Sequence, residues 1–112
     1  MKVIHCDHNG VTVLTAESTD DIVKPAHFYR VDHGEGATVL GFQDGPVKVH
    51  GVNGITNESL LAILIDRTRI LNSEFPCAEN EAALVGMMAA QAAFESRTNA
   101  RIARGVEGQN LA

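Results

Sequence analysis

The sequence is short of the residues that usually fill a large core. Its 112 residues include no tryptophan, and aromatic side chains make up only 4% of the chain. Core volume must therefore come from Ala, Val, Leu, Ile and Met. A domain of this size buries only about two-thirds of the surface of its unfolded chain. We therefore expect modest stability for the isolated chain, and a homo-oligomer in which each copy completes its core against another.

Cysteines and long apolar runs are also scarce. Cys6 and Cys77 are the only cysteines, too few for a disulfide framework, which favours a reducing compartment. The N-terminus lacks the pattern of a secretory signal. The longest apolar run, Leu60 to Ile65, is far too short to span a bilayer. These absences predict a cytoplasmic protein with no membrane partner.

Basic residues are outnumbered throughout the chain. There are nine Lys and Arg against 14 Asp and Glu, and the formal net charge is -5. Residues 1–50 carry seven acids and four bases, and residues 51–112 carry seven acids and five bases. Neither half has the extended basic field that a nucleic-acid polymer requires. A small anionic ligand needs only a local cluster.

One such cluster lies near the C-terminus, where Arg97, Arg101 and Arg104 stand at i, i+4 and i+7. On a helix these spacings place all three on one stripe. A guanidinium binds phosphate oxygens bidentately and also stacks on a base. Alternatively, the three cations complement the dipole at the end of a helix before Gly105, at about 0.3–1 kcal/mol each. The residues alone leave these interpretations nearly equal.

The first half of the chain has the pattern of a small antiparallel sheet, assigned to residues 1–50. Asn9-Gly10 is a strong hairpin signal, and Pro25 is expected to begin or edge a strand. Val47–His50 is expected to be a last strand or an extended linker. The other expected strands are Val3–Cys6, Val11–Thr15, His27–Val31 and Ala37–Phe42.

The second half, residues 51–112, is predicted to form an antiparallel helical hairpin, so the fold class is α+β. Thr56 is a plausible N-cap for a helix to about Leu71, Pro76 breaks the helix, and a second helix runs from about Ala78 to about Arg104. The short turn makes the helices antiparallel. A lone hairpin cannot bury both of its apolar faces, which again favours association through the helices. The expected apolar positions are Leu60, Leu61, Leu64 and Thr68, then Leu84, Met87, Met88, Gln91, Phe94, Thr98 and Ile102.

Three blocks of this half resemble the helical-hairpin domain of phage anti-defence sponge proteins. They are Gly51–Leu61, Phe75–Asn80 and Arg97–Gly108, and the lead-in Phe42–Pro46 and Ile65–Arg67 also match, so the resemblance covers about residues 42–112. The sheet-forming N-terminal part resembles the Thoeris anti-defence type. The anti-CBASS cyclic-dinucleotide sponges share the hairpin without it. Two departures bear on ligand preference: Pro76 stands where relatives have Ala, and Gln109–Ala112 where Thr-His is common.

The resemblance implies a non-enzymatic protein without a cofactor, typically a hexamer built from dimers, that sequesters immune second messengers in the host cytoplasm. The implied ligands are cyclic ADP-ribose isomers made by TIR enzymes and, in some members, cyclic di- or trinucleotides in separate pockets. By motif position, Asn53, Arg67 and Arg97 correspond to cyclic-nucleotide contacts. The residues expected in the cyclic ADP-ribose pocket are Phe75, Asn80, Arg97, Arg101 and Arg104, and Gly105 to Gly108 would let the backbone approach phosphate.

Each of these residues also has a purely structural interpretation. Phe75 either stacks on adenine or closes the apolar end of the hairpin. Asn80 either pairs with a base edge or ribose or completes a helix cap. Asn53, between two glycines, either presents its amide to a ligand or occupies a left-handed turn. In a plain interaction module, the arginines would form salt bridges, for instance with Glu95, Glu107 or a neighbouring subunit.

A small enzyme is the remaining alternative, because His5-Cys6-Asp7-His8 places a thiol beside two imidazoles. On a strand, His5 and Asp7 share one side and Cys6 and His8 the other. That leaves at most two ligands per face, whereas zinc sites use three or four. Gly34-Glu35-Gly36 is too short for a phosphate-binding loop. The other histidines, His27, His33 and His50, show no ligand spacing. We expect no catalytic residue and no metal site.

Overall fold

The computed structural model of the protein describes residues 1–17 and 24–105. The chain divides into two compact units, Met1–Ile55 and Thr56–Ala112. The first contains an antiparallel sheet and the second a helical hairpin. The predicted α+β class is therefore confirmed, whereas association through the helices stays a prediction.

The sheet is a four-stranded antiparallel meander in the order β1-β2-β3-β4. The Asp7 carboxylate organises its first turn, because Oδ1 accepts hydrogen bonds from the backbone N–H groups of Asn9 (2.8 Å) and Val11 (3.1 Å). Gly10 supplies the left-handed residue of this turn, with φ 79°, so the hairpin predicted from Asn9-Gly10 is confirmed. The strands are β1 Lys2–Cys6, β2 Thr12–Thr15, β3 Phe28–His33 and β4 Gly36–Gly41.

The segment after β4 differs from the prediction. Val47–His50 is a short helix, α1, and not a strand or an extended linker. Pro46 precedes it with φ -65°, a value that the proline ring enforces and that suits the start of a helix. The segments before and after α1 are joined by a parallel β-bridge. In it, Gln43 N–H donates to Ile55 O and Ile55 N–H donates to Gly41 O, both at 2.9 Å.

The helical hairpin consists of α2, Asn57–Glu74, and α3, Ala78–Ala103. Thr56 caps α2 as predicted, since its Oγ1 accepts a hydrogen bond from Ser59 N–H at 3.1 Å. Cys77 caps α3 through its sulfur, which accepts from Asn80 N–H at 3.4 Å. The first helix ends at Glu74, slightly beyond the expected Leu71, because Pro76 constrains only the residue directly before it.

The facing sides of the two helices follow a heptad spacing. The apolar stripe predicted from the sequence was wrong at several positions. Leu64 is 41% exposed and Ile102 is 58% exposed, whereas Ile65 and Arg101 are buried at 5% and 8%. Met88 and Phe94 are also exposed, at 45% and 37%. The less exposed residues of α2 are Glu58, Leu60, Leu61, Ile65, Thr68 and Asn72, and those of α3 are Asn80, Leu84, Met87, Ala90, Gln91, Thr98 and Arg101.

The core is small in both units. Within residues 1–17 and 24–105, the only buried hydrophobic residues are Ala16 and Ile65. Strand β1 is exposed along its whole length, and large side chains such as Val85 (70% exposed) lie on the helical surface. Apolar surface is thus left over in each unit. None of the helices in the described ranges combines the length and the apolar character needed to cross a membrane.

Candidate functional site

The three arginines near the end of α3 differ in exposure. Arg97 and Arg104 are exposed, whereas Arg101 is only 8% exposed and continues the inner face of α3 beyond Thr98. Neither Arg97 nor Arg104 forms an ion pair in the part of the chain that the structure describes. In particular neither pairs with Glu95. Two guanidinium groups are therefore presented to solvent at this end of the hairpin.

The backbone around these arginines ends the helix in the way the sequence suggested. Gly105 has φ 72° and its N–H donates to Ile102 O at 3.0 Å, so it is the left-handed residue that follows many helices. Arg101 in the last turn complements the negative end of the helix dipole. The expected approach of Gly108 to phosphate and the ion pair with Glu107 concern residues outside the described ranges.

A small cavity of about 210 Å³ lies close to this end of the hairpin. It is lined by Glu58, Glu95, Thr98 and Asn99. Two carboxylates in its wall repel an anion at neutral pH. Among the described residues, the exposed cations that this end of the hairpin offers to phosphate are Arg97 and Arg104. The cavity does not extend this phosphate-binding surface.

Phe75 and Asn80 lie at the other end of the hairpin. Phe75 ends α2 and is 76% exposed, so its ring does not close the apolar end of this unit but stands open to solvent. Asn80 is half-buried in the first turn of α3, and its N–H donates to Cys77 Sγ. Asn72 fixes this bend, since it accepts from Cys77 N–H at 3.1 Å and donates to Glu81 Oε1 at 2.8 Å.

The two ends are too far apart to form one pocket within a single chain. At 1.5 Å per residue, α3 separates Asn80 from Arg97 by roughly 26 Å and from Arg104 by roughly 36 Å. One small ligand cannot contact both ends of the same helix at these separations. The residues expected in the cyclic ADP-ribose pocket are therefore brought together only if a second chain contributes one of the two ends.

Arg67 lies on the side of α2 that faces away from α3. It lines a surface cavity of about 490 Å³ together with apolar neighbours and one acid, Ala62, Ile63, Asp66, Ile70 and Leu71. This volume falls in the range of ligand pockets. Arg67 forms no ion pair among the described residues, so this cavity combines an apolar wall with an exposed cation.

Asn53 is in the first unit, where its side chain joins two segments of backbone. Its Oδ1 accepts from Asp44 N–H and its Nδ2 donates to Asp44 O, both at 2.8 Å. Asn53 N–H in turn donates to Gln43 Oε1 at 2.9 Å. The left-handed conformation considered for Asn53 is wrong, since Ala26 is the non-glycine residue with positive φ in the described ranges. We call this arrangement of Gln43, Asp44 and Asn53 the amide clasp.

The amide clasp depends on close backbone approach. Gln43 Nε2 donates to Gly51 O at 2.8 Å and to Gly45 O at 3.2 Å. A Cβ at Gly54 would overlap the backbone of Phe42 and Gln43, so only glycine fits there. This role was not predicted from the sequence, although the amides of Gln43 and Asn53, in the matching segments Phe42–Pro46 and Gly51–Leu61, were the available signal.

Charged groups surround the amide clasp at Asp44. Lys24 Nζ lies 3.1 Å from Asp44 Oδ2, and His27 Nε2 lies 3.7 Å from Oδ1. The hydrogen bond from Lys24, assisted by the charges of His27 and His50, lowers the pKa of Asp44 below its usual value. His27 Nδ1 lies 3.0 Å from Gln43 O, so this histidine is held by two partners.

In the His5-Cys6-Asp7-His8 segment, Asp7 and Cys6 accept hydrogen bonds within the first hairpin. Asp7 holds the turn, and Cys6 Sγ accepts a hydrogen bond from Thr12 Oγ1 at 3.6 Å. Across the described ranges, there is no group of three or more His, Cys, Asp or Glu side chains placed to hold a metal ion. The absence of catalytic activity stays a prediction.

Comparison with known proteins gives one close relationship. The chain is 47% identical over 76 residues to Thoeris anti-defense 1 of Bacillus phage SBSphiJ7. The aligned region covers 67% of this chain and 53% of the relative, so the chain spans about half the length of the curated relative that it matches. No protein-family model matches the chain.

Proposed function

We propose that this protein counteracts Thoeris defence in the host cytoplasm. The chain is related to the phage Thoeris anti-defence proteins, as its sequence blocks predicted. It counteracts Thoeris defence by sequestering, without cleavage, the cyclic ADP-ribose isomers made by TIR enzymes. Cyclic di- and trinucleotides are proposed as further ligands, which would extend its action to CBASS defence. The relationship to the phage protein is the observation that carries the proposal.

The chemistry of the hairpin supports this choice of ligand. Arg97 and Arg104 present exposed guanidinium groups, which bind phosphate oxygens through charge-assisted hydrogen bonds. Phe75 presents a ring that is 76% exposed, and stacking a base on an aromatic side chain contributes about 1–3 kcal/mol. A cyclic nucleotide with a pyrophosphate and an adenine uses both kinds of group.

The proposed pocket requires a second chain. Asn80 lies roughly 26–36 Å from the arginines along α3, and Phe75 lies beside it at the bend, so one copy supplies the aromatic end and another supplies the cations. This requirement fits the proposed homo-oligomer, a hexamer built from dimers. Enclosure between chains also removes the ligand from water, as in most small-molecule sites.

A structural role for one arginine is favoured by a specific observation. Arg101 is only 8% exposed and lies on the inner face of α3. A buried guanidinium needs a polar partner, since an unpaired buried charge is costly. We therefore infer that Arg101 supports the fold of this end of the hairpin, while Arg97 and Arg104 make the contacts with phosphate.

The test is calorimetric titration of the purified protein with cyclic ADP-ribose isomers and with 3′,3′-cyclic GMP-AMP. After titration the protein is heat-denatured and the released ligand is analysed by chromatography. Tight binding with intact ligand is the expected result. A cleaved product would instead make the protein an enzyme, and the absence of binding to every ligand would favour a plain interaction module.

A further inference from the structure

The pair Asn-Gly occurs twice in the chain, and the two pairs have different surroundings. One is Asn9-Gly10, in the turn between β1 and β2, and the other is Asn53-Gly54, before α2. Asparagine is a chemically labile residue, and before glycine it is prone to lose ammonia, because the glycine nitrogen can attack the side-chain carbonyl carbon. Glycine has no side chain to obstruct that attack. The surroundings of each pair therefore decide whether the reaction occurs there.

We propose that Asn9 is a site of spontaneous deamidation in the folded protein, and that the amide clasp protects Asn53 from the same reaction. In the first step a bond forms between Gly10 N and Asn9 Cγ, and the bond between Cγ and Nδ2 breaks. The side-chain nitrogen leaves as ammonia, taking the proton of Gly10 N–H. Water then opens the cyclic imide at either of its two carbonyl carbons. The products are aspartate and isoaspartate, and water is the only co-reactant.

The surroundings of Asn9 leave this reaction open. Asn9 is exposed, and its side chain forms no hydrogen bond among the described residues. Beyond its chain neighbours, no described atom lies within 4 Å of a Cβ placed on Gly10, so the space beside the attacking nitrogen is open. One hydrogen bond holds that nitrogen, from Gly10 N–H to Asp7 O at 3.1 Å. This bond lies in a turn whose residues, 7–10, are all exposed.

Asn53 is also exposed, but both polar atoms of its side chain are bound. Oδ1 and Nδ2 each form a hydrogen bond of 2.8 Å with the backbone of Asp44, and Asn53 N–H donates to Gln43 Oε1 at 2.9 Å. Ring closure makes Cγ tetrahedral and expels Nδ2, so neither side-chain hydrogen bond can keep its geometry. The amide clasp therefore opposes the attack at Asn53 with bonds that Asn9 lacks.

The backbone around Gly54 is restricted as well. A Cβ placed on Gly54 would overlap the backbone of Phe42 and Gln43. The next residue, Ile55, is held in the parallel β-bridge by both its N–H and its carbonyl oxygen. The five-membered ring forms only when the backbone between asparagine and glycine turns to bring the nitrogen close to Cγ. Gly10 can make this turn in open space, whereas Gly54 is held against a neighbouring segment.

The two products affect the first hairpin differently, although each adds one negative charge to the formal net charge of -5. Aspartate leaves the backbone unchanged, and Asp-Gly is, like Asn-Gly, a favoured pair in hairpin turns. Isoaspartate inserts one extra backbone carbon between residues 9 and 10. The Asp7 carboxylate spans this segment, because it accepts from the N–H groups of Asn9 and Val11. The isoaspartate form therefore disturbs β1, an edge strand that pairs only with β2.

Peptide mapping of the aged protein tests the proposal. The full-length protein is incubated at mildly alkaline pH, both in buffer and unfolded in guanidinium chloride, and samples are digested with trypsin at intervals. Cleavage at lysine and arginine places Asn9 and Asn53 in different peptides. Mass spectrometry and chromatography measure the conversion of each site to aspartate and isoaspartate. The unfolded sample gives the rate of each site without tertiary structure.

The measured quantity is the ratio of the Asn9 rate to the Asn53 rate. We expect this ratio to be at least about tenfold larger in the native protein than in guanidinium chloride, because two side-chain hydrogen bonds must break at Asn53 and none at Asn9. A smaller increase overturns the proposal. So does an Asn9 that stays unconverted in the native protein while it is converted in the unfolded one.

Gln43→Ala tests the protective role of the amide clasp. It removes the acceptor of Asn53 N–H and the donor to Gly45 O and Gly51 O. In the folded variant we expect the Asn53 rate to rise by about 2- to 10-fold, while the Asn9 rate, the control in the same molecule, stays that of the parent. An unchanged Asn53 rate overturns the protection.

Two features keep this test decisive. If Gln43→Ala unfolds, both rates rise together, and the comparison of native with unfolded parent protein still decides the proposal. None of these measurements uses a ligand. A negative titration with cyclic nucleotides therefore leaves them unaffected, and failure of this inference is distinguishable from failure of the proposed function.

Discussion

At the scale of the residue, Asn53 shows how one amide can replace a piece of sheet. Its side chain forms the two hydrogen bonds to the Asp44 backbone that a neighbouring strand would otherwise provide. We predict that Asn53→Ala lowers the free energy of unfolding by about 1–2 kcal/mol, since hydrogen bonds contribute about 0.5–1.5 kcal/mol each. Urea denaturation measures the change.

The control for this prediction is Asn99→Ala, which removes an amide from an exposed position of α3. It should not destabilise the protein, because alanine is the better helix former. Equal stability of Asn53→Ala and the parent would show that the amide clasp contributes nothing to folding and would leave the Asn53 amide available for a ligand.

The Asp44 carboxylate leads to a prediction about acid. Its pKa is lowered in the folded protein, mainly by the hydrogen bond from Lys24. Because the pKa of Asp44 is lower in the folded than in the unfolded protein, ionised Asp44 stabilises the fold at pH values above the ordinary aspartate pKa of about 3.9. This stabilisation is lost as the pH falls through the pKa of Asp44 in the folded protein. We predict that Asp44→Asn loses less stability than the parent between pH 5 and pH 3, as measured by thermal melting at each pH.

The candidate site residues could be listed from the sequence, but their surroundings could not. Spacing identified Arg97, Arg101 and Arg104 as neighbours on a helix, yet it did not show that Arg101 is buried while the other two are exposed. The difference depends on which side of α3 faces α2, and the packing of the two helices determines that side. Asn53 was likewise noticed between its glycines, while its partner Asp44 depends on a tertiary turn.

At the scale of the element, the boundaries of the helices were predictable because local chemistry sets them. Thr56 and Pro76 determined the start of α2 and the break after it through capping and steric restriction. Helix α1 was missed because it is only four residues long and carries no hydrophobic periodicity. Its stability depends on Pro46 and on the bridge that joins its two flanks, and the sequence pattern does not reveal that bridge.

Leu64 and Ile65 show the limit of apolar periodicity. Because these two large aliphatic residues are adjacent, the apolar pattern allows either of them to face α3. In the structure, Ile65 is the buried one. At the other helix, Arg101 holds an inner position that hydrophobicity alone assigns to Ile102. Periodicity therefore predicted a helical hairpin correctly but not the exact pair of faces that meet.

The cap of α2 gives a prediction at the same scale. Thr56 Oγ1 accepts the N–H of Ser59 at 3.1 Å. Thr56→Ala should lower the free energy of unfolding by about 0.5–2 kcal/mol, the usual range for losing an N-cap. Thr56→Ser keeps the oxygen and should retain most of the stability. If both variants melt alike in urea, the cap does not stabilise the hairpin.

At the scale of the whole molecule, the burial of Arg101 changes how the arginines should be tested. Arg101→Glu would place a carboxylate where a guanidinium is now buried, and a buried charge without a suitable partner is strongly destabilising. Loss of ligand in that variant would therefore not separate binding from folding. The exposed pair, Arg97 and Arg104, separates them.

We predict that Arg97→Gln and Arg104→Gln each retain the thermal stability of the parent, because exposed substitutions usually change it by less than about 0.5 kcal/mol. Each should weaken the binding of cyclic ADP-ribose isomers by about 10- to 100-fold, as expected for losing a charge-assisted hydrogen bond of 1.5–3 kcal/mol. Arg69→Gln, on the exposed surface of α2, is the matched control and should bind like the parent. Calorimetric titration and thermal melting of the three variants decide the matter. Unchanged affinity in both Arg97→Gln and Arg104→Gln would remove the arginine end of α3 from the binding site.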